Sequence, residues 1–350
     1  MTTQGLETGH RRISYPNLDL AKVSCALLVI IIHTYPLKTV SALSHFYLND
    51  VLARIAVPVF FAISGFLFFR NIRFENGRIA RTTDNHRRLA RTVRKNLILY
   101  VVWSLVYLLL QLPQWYEIGW WGIHAVKDWL FAFLFSGSYY HLWFLLALIL
   151  AVPALYLLLL FISLSRIWLI TVALWVLECL TYSYAWIGID QIPVIEFINS
   201  RMPIVFDSMF RALPLLWIGA MLSQGKHRAS GSVPCIGAFL LCAAEASVLY
   251  FFSPNEDSYS YLFATPLLAY TALNALISGK QLSLSVKWQC LLRDVSLLIY
   301  CIHPMICWFC KQCGVPEGIP LWLTVTVLSV GIACLWSELK NRLPKWKKTA

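Results

Sequence analysis

Charge is scarce in this sequence. Only 13% of its 350 residues are Asp, Glu, Lys or Arg, against 59% hydrophobic residues, and the mean hydropathy is +0.65. A soluble globule of this size cannot hide that much apolar surface, so a soluble fold is excluded. The apolar runs do not alternate over ~10 residues, which excludes a membrane β-barrel. There is no GxxxxGK phosphate loop, no GxSxG elbow and no HExxH pair, so nothing points to ATP hydrolysis or a zinc hydrolase. No internal repeat, low-complexity tract or second soluble domain is visible. The ten cysteines form no disulfide framework, and most lie inside apolar runs, where a thiol behaves as a small hydrophobe. One cluster, "CWFCKQC" with Cys307, Cys310 and Cys313, resembles part of an iron–sulfur ligand run. It lacks the fourth cysteine followed by proline and sits in an apolar helix, so no metal site is expected.

What is present is a series of apolar runs that approach or exceed the ~18–20 residues needed to cross a bilayer. The expected fold class is all-α, a polytopic integral membrane protein with about ten transmembrane helices. The spans fall at roughly 18–36, 51–70, 97–113, 141–163, 167–187, 209–223, 233–252, 262–278, 295–313 and 321–337. The chain reads as a single membrane domain over 1–350, with a helical bundle over 18–337 and cytoplasmic tails at 1–17 and 338–350. No small-residue cleavage site follows the first run, which reads as a retained helix.

The formal net charge of +12 is placed as topology would place it, so no nucleic-acid partner is expected. The connections "RNIRFENGRIARTTDNHRRLARTVRK", "SQGKHRASGS" and "SGKQLSLSVKWQCLLRD" and the tail "ELKNRLPKWKKTA" are basic. The alternate connections are acidic or neutral. Both termini are therefore expected to be cytoplasmic, in a cell membrane. The stretch around Trp115, Trp120, Trp121 and Trp129 fits a short helix in the outer headgroup zone, with an aromatic sugar platform as the sharper alternative.

Charged groups within hydrocarbon cost at least ~2.5–3.5 kcal/mol each on insertion scales and need a reason to be there. Lys22 and His33 are eleven residues apart, which at 100° per residue is three turns plus about 20°. Both side chains share a face, about 16 Å apart along the axis. Asp19, one turn before Lys22, joins the stripe. Lys22 can snorkel or pair with Asp19, and His33 can tie two helices together, or the stripe can carry function. Further polar groups are His141, His303 followed by Pro304, Glu178, Glu245, and the pair Asp207 and Arg211, four apart on one helix face. His141 reads equally as an interfacial cap or a site residue. Pro304 allows a kink that would aim His303 at a cavity. Glu178 and Glu245 read as neutral helix-linking carboxyls or as counter-ions. Ser64 and Gly65 in "ISGFLF" allow close helix packing, with a channel lining at Ser64 as the alternative.

Five segments appear in order: "LDLAKVSCALLVIIIHT", "RIAVPVFFAISGFLFF", "RRLARTVRKNLILYVVW", "YYHLWFLLALIL" and "SLLIYCIHPM". This succession resembles the acyltransferase-3 family of polytopic membrane acyltransferases, over nearly the whole chain. The family pattern of a basic residue, ten residues and a histidine falls on Lys22 and His33, with lysine where many members have arginine. "HTYPL", "ARIAVPVFF" and "YYHLWF" also resemble the membrane part of vancomycin-resistance serine racemases, which carry a soluble racemase domain as well. The resemblance implies acyl transfer, often of acetyl, from cytoplasmic acyl-CoA to a hydroxyl of a cell-envelope or exported polysaccharide. It implies His33 as the catalytic residue. Lys22 and the basic residues Arg87, Arg88, Arg91 and Arg94 could hold the CoA head, although topology and anionic lipid explain the arginines equally well. Acyl-CoA is the expected donor and no metal is implied. A transporter of a small solute, such as an amino acid or a lipid-linked sugar, and a purely structural membrane subunit are the other classes.

Overall fold

The computed structural model describes residues 14–188, 192, 193, 196, 204–225, 231–253, 259 and 261–342, with the side chains of 204–207 left aside. Eleven helices account for most of the described residues: α1 Pro16–Thr34, α2 Ala42–Phe69, α3 Thr83–Glu117, α4 Ile123–Phe135, α5 Trp143–Phe161 and α6 Trp168–Ser183, then α7 Ile204–Ser223, α8 Val233–Phe252, α9 Thr265–Ser278, α10 Val286–Gln312 and α11 Ile319–Arg342. Seven of them (α1, α2, α3, α5, α8, α10 and α11) are long and apolar enough to cross a membrane. The expected runs at 167–187 and 262–278 yield shorter helices, whereas the run at 209–223 lies within the 20-residue α7. α6 closes in a π-helical turn at Cys179–Ser183, and α9 has 14 residues.

The helices overrun the expected spans where charge had set the limits. α3 has 35 residues, about 52 Å of helix, so its arginine-rich first turns project beyond a ~30 Å hydrocarbon layer. The segment "HRRLARTVRK" is too charged for lipid but forms helix readily, and Thr82 caps it by accepting from the Asn85 amide. The bundle likewise runs past the expected 337 to Arg342. A small hairpin, β1 Phe74–Glu75 with β2 Arg78–Ile79, sits in the basic connection before α3. Its turn is Asn76-Gly77, both at positive φ, the sequence such a turn requires.

Tertiary contacts gather the basic segments at one end. Asn17 bonds the backbone at Lys280 and Leu282, Leu164 donates to Gly77, Gln224 donates to Phe69, and Lys340 pairs with Asp294 at 2.8 Å. At the opposite end Glu245 of α8 accepts from Tyr184 and from the amides of Phe263 and Ala264 at 2.7–2.9 Å. A carboxylate there satisfies orphan amides at the start of α9, which settles Glu245 as a helix-linking group.

The closest crossing is α2 on α7. A Cβ on Gly65 would lie 2.3 Å from the Leu216 carbonyl oxygen, and one on Gly219 would lie 2.2 Å from that of Ala62. Small residues here let two backbones approach, as the close-packing reading of "ISGFLF" expects. α1 runs between two cores. Leu18, Cys25 and Val29 face one built on Phe61, Phe66 and Leu216, while Ala26 and Ile30 face another built on Tyr107, Ile299 and Tyr300.

Candidate functional site

The stripe on α1 ends in two different environments. At the basic end, Asp19 is buried and shared: Lys22 reaches one oxygen at 2.9 Å and Arg293 of α10 reaches the other at 2.8 Å. Lys22 thus pairs with Asp19 as the spacing allows. These three residues, with Arg70, Arg88 and Gln289, line a mouth of about 500 Å³. Ser14 donates to Gln289, and Arg70 lies over the Tyr15 ring at 4.8 Å. Arg88 is tied to Asp84 at 2.8 Å on the rim. Arg91 and Arg94, placed with it by sequence, are exposed and do not line the mouth.

At the other end three histidines form a chain of ring contacts. The His33 ring stacks on His303 of α10, with centroids 5.4 Å apart and planes at 21°, and lies 4.7 Å from Tyr140. His141, just before α5, packs edge-on against His303 at 5.5 Å, Tyr300 at 5.4 Å and Tyr107 at 4.8 Å. The tyrosines are anchored: Tyr107 donates to the Cys301 carbonyl and Tyr300 to that of His141. His303 Nδ1 lies 3.0 Å from the Ile299 carbonyl, which fixes the proton there and leaves Nε2 with a lone pair. That Nε2 and both ring nitrogens of His141 are buried with no hydrogen-bond partner of good geometry among the described residues.

His33 and His141 line a central cavity of about 270 Å³, whose other polar groups include Arg54 and Arg211. Arg54 is held by Asp50 at 3.0 Å. Arg211 is held by Glu178 at 3.1 Å and stacks on Tyr182 and Tyr261. Glu178 is therefore a counter-ion, while the Asp207 side chain lies outside the described residues. His303 lines neither the mouth nor the central cavity but backs His33, so Pro304 does not aim that ring into the central space. Ser64 is half-buried and lies in the wall of neither.

A third cavity, of about 470 Å³, opens on the far side of His33 among Tyr35, Tyr139, Tyr140, Cys307, Trp308 and Lys311. Burial pushes the Tyr139 and Tyr140 phenols above their usual range, so both hydroxyls stay protonated. Cys307 and Cys310 are buried and Cys313 is exposed; all three are free thiols. No three His, Cys, Asp or Glu side chains among the described residues are placed to hold a metal ion together.

His33 and Lys22 line different cavities, and between them α1 buries Cys25, Ala26, Val29 and Ile30. Of the residues singled out in the sequence, the structure sets Asp19, Lys22 and Arg88 at the mouth and joins His33, His303 and His141 through ring contacts at the other end. Sequence reasoning missed Arg293, Arg70, Arg54 and the tyrosine cage. Arg54 and the tyrosines did carry a signal, in "ARIAVPVFF" and "YYHLWF". Arg293 carried none, because only the approach of α10 to α1 makes it Asp19's partner.

A family model described as an acyltransferase domain matches residues 15–337. Among curated proteins, the chain is similar to a serine/alanine racemase of Enterococcus gallinarum, at 25% identity over 354 residues covering 95% of this chain and 47% of that protein. It is similar to an amino-acid racemase of Enterococcus faecalis, at 24% identity over 346 residues, 93% of this chain and 46% of the relative. Another amino-acid racemase of that organism is 32% identical over 133 residues, 38% of this chain and 17% of the relative. The chain thus spans less than half the length of these relatives. No solved structure matches it.

Proposed function

The chain belongs to the acyltransferase-3 family, and from that premise we propose that it moves an acyl group, acetyl in the simplest case, from cytoplasmic acyl-CoA to a hydroxyl of a cell-envelope or exported glycan. The observation that carries this reading is the placement of His33, a ring in the wall of a central cavity shared with His141, stacked on His303, which in turn packs against His141. In the reaction, the His33 imidazole accepts the acceptor's hydroxyl proton as the new carbon–oxygen bond forms. The carbon–sulfur bond of the thioester breaks, and the imidazolium returns the proton to the leaving thiolate. His141, with neither ring nitrogen in a hydrogen bond of good geometry among the described residues, is available to donate to the thioester oxygen as charge develops on it.

The donor's anionic head belongs at the mouth, where Lys22, Arg70, Arg88 and Arg293 outnumber the carboxylates of Asp19 in the wall and Asp84 at the rim. Lys22 and His33 are about 16 Å apart along the helix, a length suited to an extended pantetheine arm. To reach His33 the arm has to pass Cys25 and Val29, which are buried in the seam, so donor binding is expected to part α1 from its neighbours. On this reading the protein works in the plasma or inner membrane, with acyl-CoA on the cytoplasmic side.

The test is reconstitution with labelled acetyl-CoA and envelope glycan extract. Label enters the glycan with wild type and falls about 10²–10⁴-fold with His33→Ala. Equal labelling by both would remove His33 as the base. A second reading, carriage of an amino acid without acyl transfer, is favoured by the racemase names of the relatives. It predicts solute uptake with no consumption of acyl-CoA in the same vesicles.

A further inference from the structure

His33 belongs to two cavities at once, and their chemistry differs. On the α2 and α7 side the central cavity is small, with Arg54 and Arg211 in its wall. On the α10 side the larger cavity is faced by phenols and an indole. The hydroxyls of Tyr35, Tyr139 and Tyr140 make no hydrogen bond among the described residues. Their rings are already set: Tyr139 stacks on the anchored Tyr107 at 4.3 Å, and Tyr140 lies against His33. Lys311, the cation in this wall, is matched by Glu317 at 2.8 Å, and Lys38 at the rim is spread over the Tyr35 ring at 5.6 Å. At about 470 Å³ the space falls in the ~300–1,000 Å³ range of small-molecule sites.

We propose that this tyrosine–tryptophan cavity is the acceptor's chamber, that it takes a saccharide ring, and that the acceptor hydroxyl reaches the acyl group past the edge of His33, the residue the two cavities share. The proposal rests on the acyl-transfer reading for its purpose but not for its binding chemistry. Aromatic faces suit the C–H faces of a pyranose, and free phenols suit its hydroxyls. A zwitterionic amino acid needs an unmatched cation and an unmatched anion side by side, and the Lys311–Glu317 pair is already closed on itself. A ring hydroxyl directed at His33 from this side points toward an acyl carbon held in the central cavity. The indoles that sequence offered as a sugar platform are elsewhere: Trp115 packs on Trp120, Trp129 stacks on Phe133, and Trp121 is exposed.

The experiment is equilibrium dialysis of the full chain in lipid nanodiscs, without acyl-CoA, against radiolabelled chitobiose, maltotetraose and serine. Binding of at least one saccharide is expected. Trp308→Ala should weaken it about tenfold or more and Tyr140→Phe severalfold, while Trp121→Ala leaves it unchanged. No saccharide binding by wild type, equal binding by Trp308→Ala and Tyr140→Phe, or binding of serine alone would overturn the proposal. Saccharide binding that responds to these variants, in a protein that transfers no label from acetyl-CoA, would refute the transferase details and keep the chamber. Label transfer with an unchanged acceptor KM in Trp308→Ala and Tyr140→Phe would do the reverse.

Discussion

At its first turns α1 holds a buried carboxylate between two cations, Lys22 and Arg293; four turns later it holds a histidine stacked on another histidine, with no counter-charge in contact. The two ends handle polarity in membrane depth in opposite ways. The basic end keeps full charges and neutralises part of them, which leaves a mouth with net positive charge beside the surface. The far end carries imidazoles and phenols, which can be neutral and still exchange protons. A buried charge needs a partner, and removing that partner costs about 3–5 kcal/mol; a neutral ring needs only contacts. The contrast is between an end suited to attracting an anion and an end suited to proton transfer, which is the division of labour the proposed reaction would use.

The comparison breaks most visibly at the histidine. His33→Gln should lower turnover about 10²–10⁴-fold while the thermal midpoint of the purified protein hardly moves, since among the described residues no hydrogen bond or ion pair of that ring anchors the fold. A collapse of stability along with activity would make His33 structural. Asp19→Asn should act the other way. It strands Lys22 and Arg293 beside each other and costs roughly 3 kcal/mol in a denaturation series, with a higher KM for acyl-CoA. Unchanged stability would mean that the shared pair carries little.

Next in size, Arg293→Ala should raise the KM for acyl-CoA about tenfold with little change in kcat, because it removes one charge-assisted contact from the mouth. Arg91→Ala and Arg94→Ala, on the exposed surface, should change it less than twofold. Equal effects from all three would restore the arginine cluster as a unit. The smallest effect belongs to Glu317, whose carboxyl is held below its usual range chiefly by the hydrogen bond from Lys311. A depressed carboxyl contributes above its unfolded value of ~4.3 and loses that contribution as pH falls through the lower folded value. Wild type and Glu317→Gln should therefore differ slightly in stability near neutral pH and converge in acid, as parallel melting curves would show.

Much of the fold was legible because lipid reduces the problem to one dimension. A run of apolar residues must be helical, and its length decides whether it spans. That logic found each long helix, and it erred at the ends, where α3 and α11 carry charge without ceasing to be helix. The Asn76-Gly77 turn carried a hairpin signal that the reading of this stretch as a basic connection passed over. The close α2–α7 crossing followed from "ISGFLF" only in part, since Gly219 had to supply the matching gap. At the site, the one-face spacing of Asp19, Lys22 and His33 was visible because helix periodicity is local. The roles of the arginines were not, because three with like sequence surroundings end in unlike places.

The sequence by itself determined that this is a helical membrane protein and that its first helix carries a cation near one end and an imidazole near the other. Tertiary structure alone decided who stands beside them: Arg293, 274 positions away from Asp19, and His303 stacked on His33. The physical reason is that burial in lipid depends on each residue's own transfer energy, whereas the meeting of α1 with α10 depends on how two helix surfaces pack.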